Sequence, residues 1–126
     1  MTNLAHILVV EDDPLVSDVV VDALDGLYQT SCAATAAAAI ERLRAGGIQA
    51  MLLDCTLPGG IDPELLPLAD RSGVPVILMS GHPETLDRLG VGVPRPSILK
   101  PFSLASLVST IERVVPVAPT AVATGG

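Results

Sequence analysis

Lys100 is the single lysine of the chain, set in the run Ser97-Ile98-Leu99-Lys100-Pro101-Phe102 directly after a short apolar stretch. A lone ammonium there is a poor solubility device and is better explained by an anion that waits for it. Glu11-Asp12-Asp13 and Asp54 offer that anion. Carboxylates gathered in one small depression repel one another, and a hard divalent cation relieves the repulsion. Mg²⁺ suits such oxygen ligands while keeping some waters, and Mn²⁺ is a chemical substitute. An aspartate in that setting is an established nucleophile toward a phosphoryl group. Ser80 supplies a hydroxyl donor, and Gly81 leaves room for an incoming phosphodonor. The chemistry these residues would assemble is a phosphoaspartate made, held and hydrolysed at Asp54, with metal and ammonium offsetting charge on the phosphoryl oxygens.

That chemistry needs the residues brought together, and the order of elements predicts how. Residues 6–10 are an apolar run that halts at Glu11, as a fully buried strand does. Pro14 opens a helix to about residue 27, with Asp13 as its cap. A weak strand over 29–33 precedes an alanine-rich helix over 36–45, capped by Thr35 and ended by Gly46-Gly47. A third strand over 50–53 halts at Asp54. Pro58-Gly59-Gly60 reads as a turn, and a short helix runs from Glu64 to Ser72. The fourth strand covers 74–79, a stunted helix about 83–89, and the fifth strand 97–99. Ser103 caps a last helix to about residue 115. Buried strands alternating with helices predict an α/β fold: a three-layer αβα sandwich around a doubly wound, five-stranded parallel sheet.

In such sheets, sites form outside the carboxyl ends of the strands, near the switch in strand order. Glu11, Asp12 and Asp13 follow the first strand, Asp54 the third, Ser80 the fourth and Lys100 the fifth. A strand order of 2-1-3-4-5 makes those four ends neighbours. Lys100-Pro101 suggests a fixed peptide just past the fifth strand, with cis as one reading and trans as the base-rate expectation. His82 and His6 have no companions at metal-ligand spacing. Gly59-Gly60 lacks the Lys-Ser or Lys-Thr of a nucleotide phosphate loop.

Composition narrows the function classes. The 126 residues make about one domain, and 49% of them are hydrophobic. Tyr28 and Phe102 are the only aromatic residues, so stacking platforms for bases are missing. Seven basic against fourteen acidic residues give a formal charge of -7, which argues against a direct nucleic-acid partner. No run of apolar residues is long enough to insert in a membrane, and no secretion signal is indicated. Cys32 and Cys55 read as free thiols in a reducing compartment, so the expected location is cytoplasmic.

With these residues in place, the chain closely resembles the receiver domain of bacterial two-component response regulators, the CheY-like superfamily, over about residues 5–115. The likeness is carried by Ile7-Leu8-Val9-Val10-Glu11-Asp12-Asp13, by Leu52-Leu53-Asp54 with Pro58 four residues on, by Met79-Ser80-Gly81 and by Leu99-Lys100-Pro101-Phe102. The resemblance implies a flavodoxin-like stand-alone domain over 1–116 with a flexible tail over 117–126. It assigns Asp12 and Asp13 to the metal-binding acidic pair, the Thr56 backbone carbonyl to the same metal site, and Asp54 to the phosphoacceptor. Ser80 matches the hydroxyl residue that follows the phosphoryl group, and Lys100 the family's lysine.

The implied partners are a sensor histidine kinase or histidine phosphotransfer protein upstream and a protein target downstream. The implied state is a monomer or weak dimer, a signalling protein with self-phosphorylation and autodephosphorylation chemistry. Phosphorylation in the family reshapes the face formed by the last strand and the helices flanking it.

Two departures touch that output face. Ser97 stands where the family has Tyr or Phe, and it has no ring to move. Pro94 and Pro96 constrain the approach to the last strand. A receiver-like interaction module whose output is independent of phosphate is therefore the alternative reading. A phosphohydrolase with an aspartate nucleophile is disfavoured, because Asp54-Cys55-Thr56 lacks a second aspartate two residues on.

Overall fold

The computed structural model describes residues 4–57, 62–84 and 95–116. The predicted turn over 58–60, most of the helix over 83–89, the loop up to Pro94 and the tail over 117–126 lie outside them. The elements in chain order are β1 (His6–Val10), α1 (Pro14–Leu24), β2 (Gln29–Ala33), α2 (Ala36–Ala45), β3 (Ala50–Asp54), α3 (Leu65–Arg71), β4 (Val76–Ser80), β5 (Ser97–Leu99) and α4 (Leu104–Val114). All strand pairs are parallel, in the order β2-β1-β3-β4-β5. The fold is the predicted α/β three-layer sandwich.

Strand periodicity divides the core into two halves. Ile7, Val9, Ala50, Leu52, Ile77, Met79 and Ile98 point to one face, where they pack on Val20 and Leu24 of α1 and Leu107 and Ile111 of α4. Leu8, Val10, Met51, Leu53, Val76 and Leu78 point to the other, against Ala39, Ile40 and Leu43 of α2 and Leu65 and Ala69 of α3. With so few rings, the core is aliphatic. Tyr28 is the aromatic exception, buried with its hydroxyl donating to the Val115 carbonyl.

The helix starts obey their caps. Asp13, Thr35 and Ser103 each accept a backbone N–H of the first turn they open, from Leu15, Ala38 and Ser106. α1 stops at Leu24, about a turn short of its expected end, because Gly26 takes a φ of 80° in the turn that follows. β4 begins two residues later than expected, at Val76, after Pro75 has accepted the Met51 N–H with its carbonyl. The Lys100–Pro101 peptide is cis, against the base-rate expectation.

Ile77 lies on β4 with no solvent exposure. Ile77→Ala is expected to lower the unfolding free energy by about 3 kcal/mol through lost burial and the cavity left behind. Urea denaturation would show this as a lower midpoint with an unchanged slope.

Candidate functional site

Parallel register decides which residues meet. Val10 pairs with Leu53, so Glu11 and Asp54, one residue beyond each, emerge side by side. The Cys55 N–H donates to the Met79 carbonyl and the Lys100 N–H to the Ser80 carbonyl, both at 2.9 Å. The ends of β1, β3, β4 and β5 thus converge, as the strand order requires.

The carboxylates that converge are those of Glu11, Asp12 and Asp54, each offering an oxygen within 4.8 Å of the others. Asp12 is exposed, while Glu11 and Asp54 are buried. Asp13, which the sequence placed in the acidic pair, is outside the cluster. Its carboxylate accepts the Leu15 N–H at 2.9 Å and so faces the start of α1. Glu11, which the sequence offered as an anion for Lys100 but not as a metal ligand, joins the cluster instead. The signal was present, since an aspartate directly before a helix-opening proline is committed to capping.

Lys100 reaches into this cluster. Its Nζ lies 2.9 Å from Glu11 Oε1 and 3.5 Å from Asp54 Oδ1. The nearer partner is Glu11, whose other oxygen, Oε2, accepts the Asp13 N–H at 3.3 Å. Asp54 is held from its own loop. The Thr56 N–H and hydroxyl both donate to Oδ1, at 3.0 and 2.8 Å. Both hydrogen bonds and the ammonium fall on the same oxygen, which leaves Oδ2 as the less engaged oxygen of Asp54. Ser80 is fully buried; its Oγ accepts the His82 N–H at 3.0 Å and donates to the His82 carbonyl at 3.3 Å. Beside Asp54, the Cys55 thiol is buried within 4.0 Å of the Leu53 carbonyl.

One ammonium serves two buried carboxylates, and the charges respond. Burial first, and then the adjoining Asp54 carboxylate, push Glu11 up to about 7 against the opposing pull of Lys100. Burial alone would raise Asp54 as well. Hydrogen bonding with Glu11, the two Thr56 donors and the Lys100 charge outweigh it and hold Asp54 below its ordinary value. Burial disfavours the Lys100 charge, but Glu11 and Asp54 more than compensate and raise it. Burial and the Asp54 charge push the Cys55 thiol up to about 11. The cluster is capable of chelating a divalent metal: its donors are all hard oxygens, they converge, and at neutral pH they carry more negative charge than Lys100 offsets.

A groove of about 520 Å³ opens beside Lys100, lined by Leu15, Val16, Val19, Pro101 and Phe102. Leu15 and Val19 are exposed there. Among the described residues, no helix is long and apolar enough to cross a membrane.

Residues 7–112 match the response regulator receiver domain family. The chain belongs to that family. This receiver is 37% identical over 110 residues to a response regulator receiver protein of Anaeromyxobacter sp. (strain Fw109-5). The match covers 83% of this chain but 43% of that protein, so the receiver spans less than half of the relative's length. Among solved structures, it superimposes on the chemotaxis protein CheY4 of Vibrio cholerae with a TM-score of 0.78 at 21% identity, over 89% of this chain and 99% of the other. That likeness is one of fold. A CheY-like response regulator receiver domain protein from Methanospirillum hungatei gives a TM-score of 0.75 at 28% identity, over 88% and 93% of the two chains. The Glu11, Asp12 and Asp54 cluster is consistent with a phosphoaccepting, metal-binding site on this fold.

The raised Glu11 makes the metal-free receiver pH-sensitive. A carboxyl with a higher pKa folded than unfolded contributes stability below its unfolded value of 4.5, and this is lost as pH rises toward about 7. Asp54, shifted the other way, loses its contribution only in acid. In chelator, the melting temperature is therefore expected to fall between about pH 5 and pH 8, and excess Mg²⁺ to offset the loss increasingly as pH rises. Thermal melts with and without the metal check this.

Proposed function

We propose that Asp54 takes a phosphoryl group from a phosphohistidine donor, or from a small phosphodonor, and that the receiver signals by protein contact or onward phosphotransfer. The observation that supports this most is the asymmetry of the Asp54 carboxylate. Three donors converge on Oδ1, which fixes the side chain and leaves Oδ2 to attack phosphorus. The Oδ2–P bond forms as the P–N bond of the donor breaks, and the leaving imidazole takes its proton from solvent.

Lys100 then shifts the short distance from Glu11 to the incoming phosphoryl oxygens, where charge develops. Ser80 sits at the adjoining strand end, and its hydroxyl exchanges the His82 carbonyl for a phosphoryl oxygen. Hydrolysis returns Asp54 to its resting state. The group we assign to the carboxylate cluster is Mg²⁺, with Mn²⁺ able to replace it; when bound, it offsets charge on the phosphoryl oxygens. Asp12, Asp54 and the Thr56 carbonyl would hold it, with Glu11 in the place that the sequence gave to Asp13. We place the reaction in the cytoplasm and assign Asp54 and its neighbours the self-phosphorylation and autodephosphorylation chemistry of a signalling protein.

The phosphohistidine donor is a sensor histidine kinase or phosphotransfer protein, and the apolar groove beside Lys100 suits its approach. A chain with a net charge of -7 repels a phosphorylated partner at long range, so short-range apolar contact must supply affinity. A second reading, output independent of phosphate, is favoured by the exposed Ser97 on β5, which has no ring to carry a rearrangement. Partner binding that is equal in D54N and in phosphorylated wild type would select it.

Incubation with acetyl phosphate and Mg²⁺ is expected to add about 80 Da by intact mass. The gain should vanish in a folded D54N, and K100A should label more slowly while keeping its fold. Folded wild type that gains no mass from acetyl phosphate or from candidate kinases overturns the proposal.

Leu15→Glu in the groove should leave acetyl phosphate labelling near wild type. It should slow transfer from a phosphohistidine protein about tenfold, the equivalent of losing one well-buried aliphatic contact. Equal slowing with both donors would place the docking surface elsewhere.

A further inference from the structure

Lys100 is delivered by the shortest strand of the sheet. β5 is three residues long, lies at an edge, and buries Ile98 alone. Hydrogen bonds at its two ends hold it to β4, from the Leu78 N–H to the Pro96 carbonyl and from the Lys100 N–H to the Ser80 carbonyl. So short an edge strand frays readily, and a slip of one residue would turn every side chain on it to the opposite face. Its C-terminal end is held by the ammonium itself, on Glu11 and Asp54. Its N-terminal end needs an anchor of another kind.

Arg95 supplies that anchor. Its guanidinium makes a two-pronged contact with Asp70, Nη1 to Oδ1 at 3.0 Å and Nη2 to Oδ2 at 2.8 Å. The Arg95 side chain is only 7% exposed, against 41% for Asp70. Its remaining donor, Nε, is buried and has no partner among the described residues. Within the described part of the chain, the buried cation therefore depends on this one carboxylate. Asp70 is itself well founded, since α3 buries Leu65 and Ala69 in the core. On the strand side, Pro96 biases Arg95 to extended backbone and so aims it along the incoming strand. The charge of Asp70 answers to the contact: the Arg95 guanidinium holds its carboxyl below the ordinary value.

We propose that Arg95, clamped by Asp70, is a positioning residue for Lys100: it fixes the register and entry of β5, and so the place where the ammonium emerges. The functional consequence rests on the reading of Asp54 as phosphoacceptor, while the clamp itself does not. Lysine is a poor replacement, because a point ammonium lacks the planar fork that grips both carboxylate oxygens.

Amide hydrogen exchange followed by NMR tests the clamp without any phosphoryl chemistry. In D70N and R95M, the Leu78 and Lys100 amides should exchange about tenfold faster, the expected cost of losing a charge-assisted contact. The Val9 and Leu52 amides should keep wild-type protection, and R95K should restore little. D70N alters only the half-exposed partner and so stands in should R95M fail to fold. Wild-type exchange at both reporter amides in D70N overturns the proposal.

Acetyl phosphate labelling supplies the second arm. D70N should label several-fold more slowly than wild type, whereas D70N/K100M should match K100M. Further slowing in the double variant overturns the proposal, since the clamp would then act other than through Lys100. Failure of the wild type to label defeats the phosphoacceptor reading and leaves the exchange result to decide the clamp.

Discussion

Two buried carboxylates share one ammonium, and the rest of the site follows from that shortage of positive charge. Glu11 and Asp54 leave neighbouring strands of a parallel sheet, so the backbone register forces them together regardless of their mutual repulsion. Lys100 lies close enough to touch both but bonds the nearer, Glu11. Asp54 then leans on Thr56, whose amide and hydroxyl take over the stabilisation that the lysine gives only in part. The deficit is tolerated because it is local. The strands that create it are buried on both faces among aliphatic side chains, and their packing energy does not depend on the charges at their ends. A site that is electrostatically incomplete at rest is well suited to accept a cation and an anion together, since each makes room for the other.

Most of the fold was legible in the sequence because its most buried strands are unambiguous. Residues 6–10 and 50–53 are apolar on both faces, a pattern that in a chain of this length means a parallel sheet covered by helices. The caps at Asp13, Thr35 and Ser103 were legible for a similar reason: each stands directly before a helical pattern, and capping is decided within a few residues. The end of α1 was not. Leu24 and Leu27 suit the apolar side of one helix equally well, and what separates them is the backbone conformation at Gly26, which apolar spacing does not report.

Which strand ends meet was legible in the sequence. Asp54, Ser80 and Lys100 each stand alone at the end of a strand, so bringing those ends together needed only the strand order. Three consecutive acids follow β1, and there the strand order is silent about which of them face the centre. Asp13 was read as both cap and ligand, and one short side chain cannot turn toward α1 and toward Asp54 together. Glu11 had the stronger claim, because the residue directly after a buried strand inherits the direction of that strand. The clamp of Arg95 on Asp70 was beyond reach for a different reason. The partners are 25 residues apart in sequence and meet only through the tertiary packing of α3.

Cys55 bears on how long a signal would persist. An aspartyl phosphate is a mixed anhydride, open to attack at its carbonyl carbon as well as at phosphorus. A thiolate beside it would be a competent acyl acceptor and would divert the group into a thioester, ending the signal and disabling the carboxylate together. With its pKa pushed up to about 11, Cys55 is a thiolate in only about one molecule in ten thousand at neutral pH. Burial first, and the Asp54 charge second, thus keep the neighbouring sulfur unreactive, which would leave decay of a phosphorylated Asp54 to cleavage on the phosphorus side.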